Sequence, residues 1–273
     1  QTQIIGVVGT DFSSTHIDFL QGRGVDVSGL QRLPGRTFRW SGRYHYDMNS
    51  RDTLDTQLGL FADFEPKLSQ SHRGASTVFL ANINPALQLG VLDQMLGPRL
   101  VALDTMNFWI ESERELLTKV IGQVDMLLMN DAECLQFAET PSLLRAAKAL
   151  LSLGPKVLVV KRGEYGAALF AEGSYFFSPA YPLEDVKDPT GAGDTFAGGL
   201  LGYLDRSGDY SIASIKRAVV YASTAASFTV EDFSLDRLRA VTMNDIERRV
   251  SEFKHFTDTE TEAIFGPMRL NGK

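Results

Sequence analysis

Four short apolar runs constrain this chain more than any other feature. STVFLANI (76–83), RLVALDT (99–105), VDMLLMN (124–130) and KVLVVKRG (156–163) each have strand length and show no alternation of polar and apolar residues. A strand wetted on one face alternates, so unbroken apolar runs predict strands covered on both faces. Helical patterns lie between and after them, near 85–97, 111–123, 131–138 and 142–153. Strand, helix, strand is the unit of a parallel sheet, and such sheets take ligands beyond the carboxyl ends of their strands. Further on, 165–179 reads as a hairpin turning at Glu172-Gly173. Helices are expected near 193–206, 211–228 and 234–252, and the polar tail from 255 offers little. The expected fold is a three-layer α/β/α domain with a mainly parallel central sheet.

Composition narrows the partners. The 273 residues carry 34 acids against 27 bases, a formal charge of -7, with no long basic run. Nucleic acid and anionic membranes are therefore not expected as partners. The single cysteine, Cys134, excludes an internal disulfide framework and a cysteine-based zinc site, and it favours a reducing, cytoplasmic setting. No run approaches the roughly 18 apolar residues of a membrane span. The start at Gln1 has neither a methionine nor the regions of a signal peptide and falls almost inside a strand, so the natural N-terminus is expected further upstream. There is no internal repeat and no low-complexity linker.

One segment breaks the apolar pattern. From Thr37 to Asp47 the residues alternate strictly, with Phe38, Trp40, Gly42, Tyr44 and Tyr46 on one face. This reads as an exposed antiparallel strand, either a small lid or dimer-forming sheet spanning 34–62 or an ordinary half-buried hairpin.

The chemistry concentrates at KDPTGAGDTFAGGLLGYL, Lys187 to Leu204. A turn of small residues, Thr190-Gly191-Ala192-Gly193, precedes Asp194 and a helical run. If the helix starts at Thr190 or Gly191, the amides of Gly191, Ala192, Gly193 and Asp194 are the unpaired donors of its first turn, a place for a phosphate. Asp194 there has a plain reading, since acids at helix starts gain roughly 0.3–1 kcal/mol from the macrodipole. The crowding of three small residues exceeds what a helix start needs. A carboxylate beside an electrophilic phosphate can take the proton of an attacking hydroxyl while the amides hold the transferring charge. Asn130 and Glu133 at the end of the third run make a capping box, and the same pair is placed to hold hydrated Mg2+ and a nucleotide phosphate. Lys161, Gly163 and Gly166 follow the fourth run, either as a phosphate contact with room for a ligand or as the turn into the hairpin. Asp104 and Asn107 follow the second. The loop motifs of P-loop ATPases, dinucleotide-binding dehydrogenases, zincins and serine hydrolases are absent.

Asp188-Pro189-Thr190-Gly191-Ala192-Gly193-Asp194 resembles the D-[TP]-T-G-A-G-D signature of the ribokinase-like, or PfkB, carbohydrate and nucleoside kinases. Asn130–Glu133 resembles that family's N-x-x-E motif, and IIGVVGTDF with LQGRGVDVSGL is similar to its early region. The resemblance runs along nearly the whole chain as one kinase domain with a β lid. It implies MgATP-dependent phosphorylation of a primary hydroxyl on a sugar or ribonucleoside, with Asp194 as base and Gly191, Ala192 and Gly193 as anion hole. Asn130 and Glu133 would serve magnesium and phosphate. Lys161, Gly163, Gly166 and Thr190 would border the nucleotide, and Ala222, Ser223 and Ala226 would line the adenine pocket. Trp40, Tyr44 and Tyr46 would face the substrate from the lid, which could also form a homodimer. The family's first strand and its Gly-Gly loop are expected ahead of Gln1. The glycine-containing loop that helps hold K+ in many members reads SFTVEDFSLD here, which leaves a potassium site to Asp188 and Thr190. A catalytically silent adenylate sensor of the same fold is the alternative reading; a dinucleotide-dependent oxidoreductase lacks its fingerprint.

Overall fold

A computed structural model describes residues 1–49, 51–171 and 173–257. Glu172 of the expected hairpin turn, and the tail beyond 257, lie outside the described residues. The chain opens with a parallel pair, β1 (Gln3–Gly9) and β2 (Asp26–Leu33), joined by α1 (Ser14–Gly22), which is capped by the Ser13 hydroxyl. An antiparallel hairpin follows, β3 (Arg39–Tyr44) and β4 (Arg51–Gln57), forming its own two-stranded sheet. A 3₁₀ turn over Gly59–Asp63 and the single-turn α2 (Gln70–Arg73) then return the chain to the main body.

The apolar runs form the main sheet in the expected order. β5 (Thr77–Leu80), α3 (Pro85–Leu92), β6 (Leu100–Asp104), α4 (Asn107–Ser112), α5 (Arg114–Ile121), β7 (Met126–Asn130), α6 (Asp131–Phe137), α7 (Leu143–Leu151) and β8 (Val157–Lys161) alternate, and the four strands pair in parallel. β9 (Ala167–Ala171) and β10 (Ser174–Ser178) extend the sheet antiparallel beside β8. Register explains why both faces are apolar. Leu80, Leu103, Leu127, Leu158 and Phe170 form one row across the sheet, in one core cluster. The adjacent row, Ala102, Met126, Val157 and Ala171, lies in the other. Each fully buried leucine contributes about 1.5–3 kcal/mol.

Crossovers between parallel strands are right-handed, so helices joining successive neighbours all fall on one face. Side chains of α3, α5, α6 and α7 accordingly pack in the first cluster. The opposite face is left for the later chain, α8 (Ala192–Ser207) and α9 (Ile212–Thr229), which cover it with Phe196, Leu200, Leu204, Ile215 and Val219. Two expected helices are each divided. The 111–123 pattern is split by the non-helical Glu113 between α4 and α5. The 234–252 pattern becomes α10 (Asp236–Ala240) and α11 (Met243–Thr257) because Thr242 and Asp245 exchange hydrogen bonds as a cap that starts a new helix. The β1–β2 pair is not hydrogen-bonded to the main sheet. A cavity of about 270 Å³ lies between them, lined by Gln3 and Ile5 on one side and Thr77–Leu80 on the other.

The approach of α8 to α9 depends on Gly199, where an added Cβ would lie 3.1 Å from the Cα of Ala222. Gly199→Val should therefore force the helices apart and lower stability by about 1–3 kcal/mol. Urea unfolding of the variant beside the parent measures this, and an unchanged midpoint would refute it.

Candidate functional site

Parallel pairing brings the carboxyl ends of β6, β7 and β8 side by side, ending in Asp104, Asn130 and Lys161. Lys161 on β8 reaches over the end of β7, a span of about 10 Å between β6 and β8, to place its Nζ 2.5 Å from Asp104 Oδ2. Both groups are enclosed, with side chains 17% and 5% exposed. Asp104 Oδ1 accepts the amide of Thr105 at 2.9 Å, so both carboxylate oxygens have partners.

Below the lysine, β7 passes into α6 through a complete capping box. Asn130 Oδ1 accepts the Glu133 amide at 2.7 Å and Glu133 Oε2 accepts the Asn130 amide at 2.8 Å. This structural task coexists with an electrostatic one. Burial raises the Glu133 carboxyl to about 7, with Asp104 adding to the rise and Lys161 and the Asn130 amide opposing it. Burial by itself would lower the Lys161 pKa, but Asp104 and then Glu133 outweigh it and hold the ammonium above its usual range.

The small-residue turn closes the site from the other face of the sheet. Asp188 Oδ1 accepts the Thr190 amide at 2.9 Å, and Gly191 adopts φ +80°, a left-handed conformation suited to glycine, directly before α8. Ala192 corrects the expectation of four free donors, because its amide is used inside the turn on the Pro189 carbonyl at 3.1 Å. The amides of Gly191, Gly193 and Asp194 have no acceptor among the described residues. Gly193 faces the lysine: a Cβ there would sit 3.4 Å from Lys161 Nζ. Asp194 is exposed to solvent, yet enough protein surrounds it for burial to act on its carboxyl. Burial, then Asp104, raises its carboxyl, while Lys161 and Arg51 pull it down.

The β3–β4 hairpin meets this turn. Tyr44 Oη accepts a hydrogen bond from Thr190 Oγ1 at 3.3 Å, and Asn49 Nδ2 donates to Glu164 Oε1 at 3.1 Å. Trp40 lies along the hairpin, its Nε1 donating to Thr53 and its ring against Gly42 and 5.8 Å from the Arg51 guanidinium. Tyr46 does not share this face: β3 ends at Tyr44, and Tyr46 is fully exposed beyond it. Arg51, paired with Tyr44 in the register and felt electrostatically by both Asp194 and Glu133, had no sequence signal. RDTLDTQ, the strand it opens, has no apolar alternation and is exposed throughout.

The other expected residues divide. Gly163 has φ +54° and abuts the Asn49 side chain. Gly166 has a structural reason to be glycine, since a Cβ would strike the Ser178 carbonyl at 2.0 Å. Ala222 is fully buried against α8 and Ser223 is also buried, which removes both from an open adenine pocket; Ala226 is half-buried. No three metal-ligating side chains gather among the described residues, so a divalent cation here would have few protein ligands. Glu133 and Asp194 lie in the field of the Lys161 ammonium, and burial is the first cause of the upward shift of each. Mg2+ keeps most of its waters and needs few protein ligands.

The Glu133 shift has a measurable sign. An acid whose folded value is near 7, against its usual 4.5, contributes fully below pH 4.5 and loses that contribution as pH rises through 7. Glu133→Gln keeps the cap acceptor without the charge. Its stability relative to the parent should grow by on the order of 1–3 kcal/mol between pH 4.5 and 7 and stay level above. Urea unfolding at pH 5 and pH 8 reads the difference; parallel behaviour of the two proteins would contradict it.

Comparison with known proteins bears on the family and the fold. Residues 100–238 match the model of the pfkB family of carbohydrate kinases. The cytidine kinase of Thermococcus kodakarensis is 32% identical over 209 residues, 74% of this chain and 73% of that protein. Among solved structures, the nucleoside kinase of Methanocaldococcus jannaschii, an archaeal member of the ribokinase family, superposes with a TM-score of 0.74 at 21% identity, covering 92% of this chain and 80% of that one. An Escherichia coli protein described as ribokinase II, in complex with ATP and Mg2+, gives a TM-score of 0.74 at 22% identity over 92% of this chain and 83% of that one. The fold is that of the ribokinase family.

Proposed function

Since the chain belongs to the pfkB family of carbohydrate kinases, phosphotransferases whose acceptor is an alcohol, we propose that it transfers the γ-phosphoryl group of ATP to a primary hydroxyl of a ribonucleoside or sugar. The observation that carries this reading is Asp194, a carboxylate with a raised pKa in the first turn of α8, beside the free amides of Gly191 and Gly193. The acceptor hydroxyl gives its proton to Asp194 as its oxygen bonds to the γ-phosphorus. The bond from that phosphorus to the β–γ bridging oxygen breaks, and ADP leaves with the electron pair. A raised carboxyl pKa makes a stronger base, and the amides hold the charge of the moving group without reorganising.

The remaining assignments follow the same reading. Lys161 faces the transferring phosphates, and Asn130 and Glu133 hold Mg2+ through water, where the ion would neutralise phosphate charge. Asp188 and Thr190 are the pair we assign to a monovalent cation, through the lone pairs their mutual hydrogen bond leaves over. Gly163 and Ala226 border the nucleotide. The hairpin serves as the lid, with Trp40 and Tyr44 toward the acceptor, and its exposed outer strand is the surface we assign to a homodimer. The likeness to a cytidine kinase puts cytidine first among the acceptors to try.

Incubation with MgATP and a panel of cytidine, other nucleosides, pentoses and hexoses should release ADP with one of them. Binding of ATP with no turnover on any would overturn the proposal. With the acceptor found, Asp194→Asn should lower kcat by about 10²–10⁴-fold with little change in ATP binding. Near-normal turnover would remove Asp194 from its role.

A further inference from the structure

The ion pair between Asp104 and Lys161 is not explained by folding needs. A buried pair of opposite charges loses about as much hydration as it gains in attraction, and apolar side chains would fill the same space at no such cost. This pair also joins strands that are not neighbours, passing over the end of β7. Lysine has four rotatable carbons and no preferred direction of its own. Something must hold its ammonium in place if a phosphate is to find it there.

We propose that Asp104 is a positioning residue for the phosphoryl-transfer site, fixing the Lys161 ammonium beside Gly193. This rests on the kinase reading above. Three observations carry it. Lys161 Nζ donates directly to Asp104 Oδ2, a charge-assisted hydrogen bond with both groups nearly enclosed. The other Asp104 oxygen is held by the Thr105 amide, so the carboxylate is fastened to its own backbone and both oxygens are engaged by protein. Such a carboxylate is suited to orienting a neighbour rather than to taking a ligand. The positioned ammonium lies against the first turn of α8, where a Cβ at Gly193 would meet Nζ in van der Waals contact at 3.4 Å. Asp104 also helps keep the ammonium protonated inside the protein. The arrangement divides the labour: Asp104 aims the cation and Lys161 meets the phosphate beside the first turn of α8.

The test is a double-mutant cycle of Asp104→Asn and Lys161→Met on the full chain. Two positions acting through one interaction give effects that do not multiply. Each single variant should lower kcat by roughly 10–100-fold with the acceptor KM changed less than about threefold, and the double variant should be no worse than the poorer single. Removing both charges should also restore stability lost in either single variant, which keeps the cycle readable if one of them folds poorly. The same cycle is run in parallel by calorimetry with a non-hydrolysable ATP analogue and Mg2+. That measurement needs no turnover, so loss of the kinase reading and loss of this proposal are told apart. Coupled losses in binding with no acceptor phosphorylated would support the positioning role while overturning the activity. Effects that multiply, or an Asp104→Asn protein with parental kcat and analogue affinity, would overturn the positioning role.

Discussion

The parallel pairing of β5, β6, β7 and β8 is the constraint on which the rest of the structure depends. It turns four carboxyl ends toward the same edge, so residues some 30 positions apart in sequence become neighbours. It also fixes the helices. Right-handed crossovers send the connecting helices to one face and leave the other bare. Covering that second face falls to α8 and α9, and α8 brings its N-terminal turn to the same edge as the strand ends. The meeting of Asp194 with Lys161 is therefore a consequence of how the sheet is covered.

Enclosing carboxylates beside the Lys161 ammonium has a cost, chiefly lost hydration, visible in the upward shifts of Glu133 and Asp194. The fold meets part of that cost locally. Glu133 is kept by the Asn130 amide, Asp104 by Thr105, and the α8 dipole lies beside Asp194. Stability and function pull in opposite directions at Glu133: its carboxylate completes a helix cap, but burial of its charge opposes folding as pH rises.

Much of this was legible in the sequence. The unbroken apolar runs gave the order of strands, and the capping box and the glycine turn were written at short range. Asp104 was visible as a polar residue at a strand end, but its partnership with Lys161 crosses an intervening strand and leaves no mark in either segment. Arg51 was hidden for a different reason, since an exposed strand carries no periodic apolar signal. Ala222 shows the converse case. Small residues on a helix suit an open pocket and a close helix crossing equally well, and only the contact at Gly199 tells them apart. Ala192 similarly looked like a free donor until the turn was seen to close on Pro189.

The sequence by itself determined the class of the fold, the turn before α8 and the residue types available for phosphoryl chemistry, because periodicity, capping and backbone freedom at glycine act within a few residues. Tertiary structure decided which polar groups face one another, which small residues are core, and where the hairpin sets its arginine. Those outcomes depend on strand adjacency and on helix packing across the sheet, and neither is encoded in any short stretch of the chain.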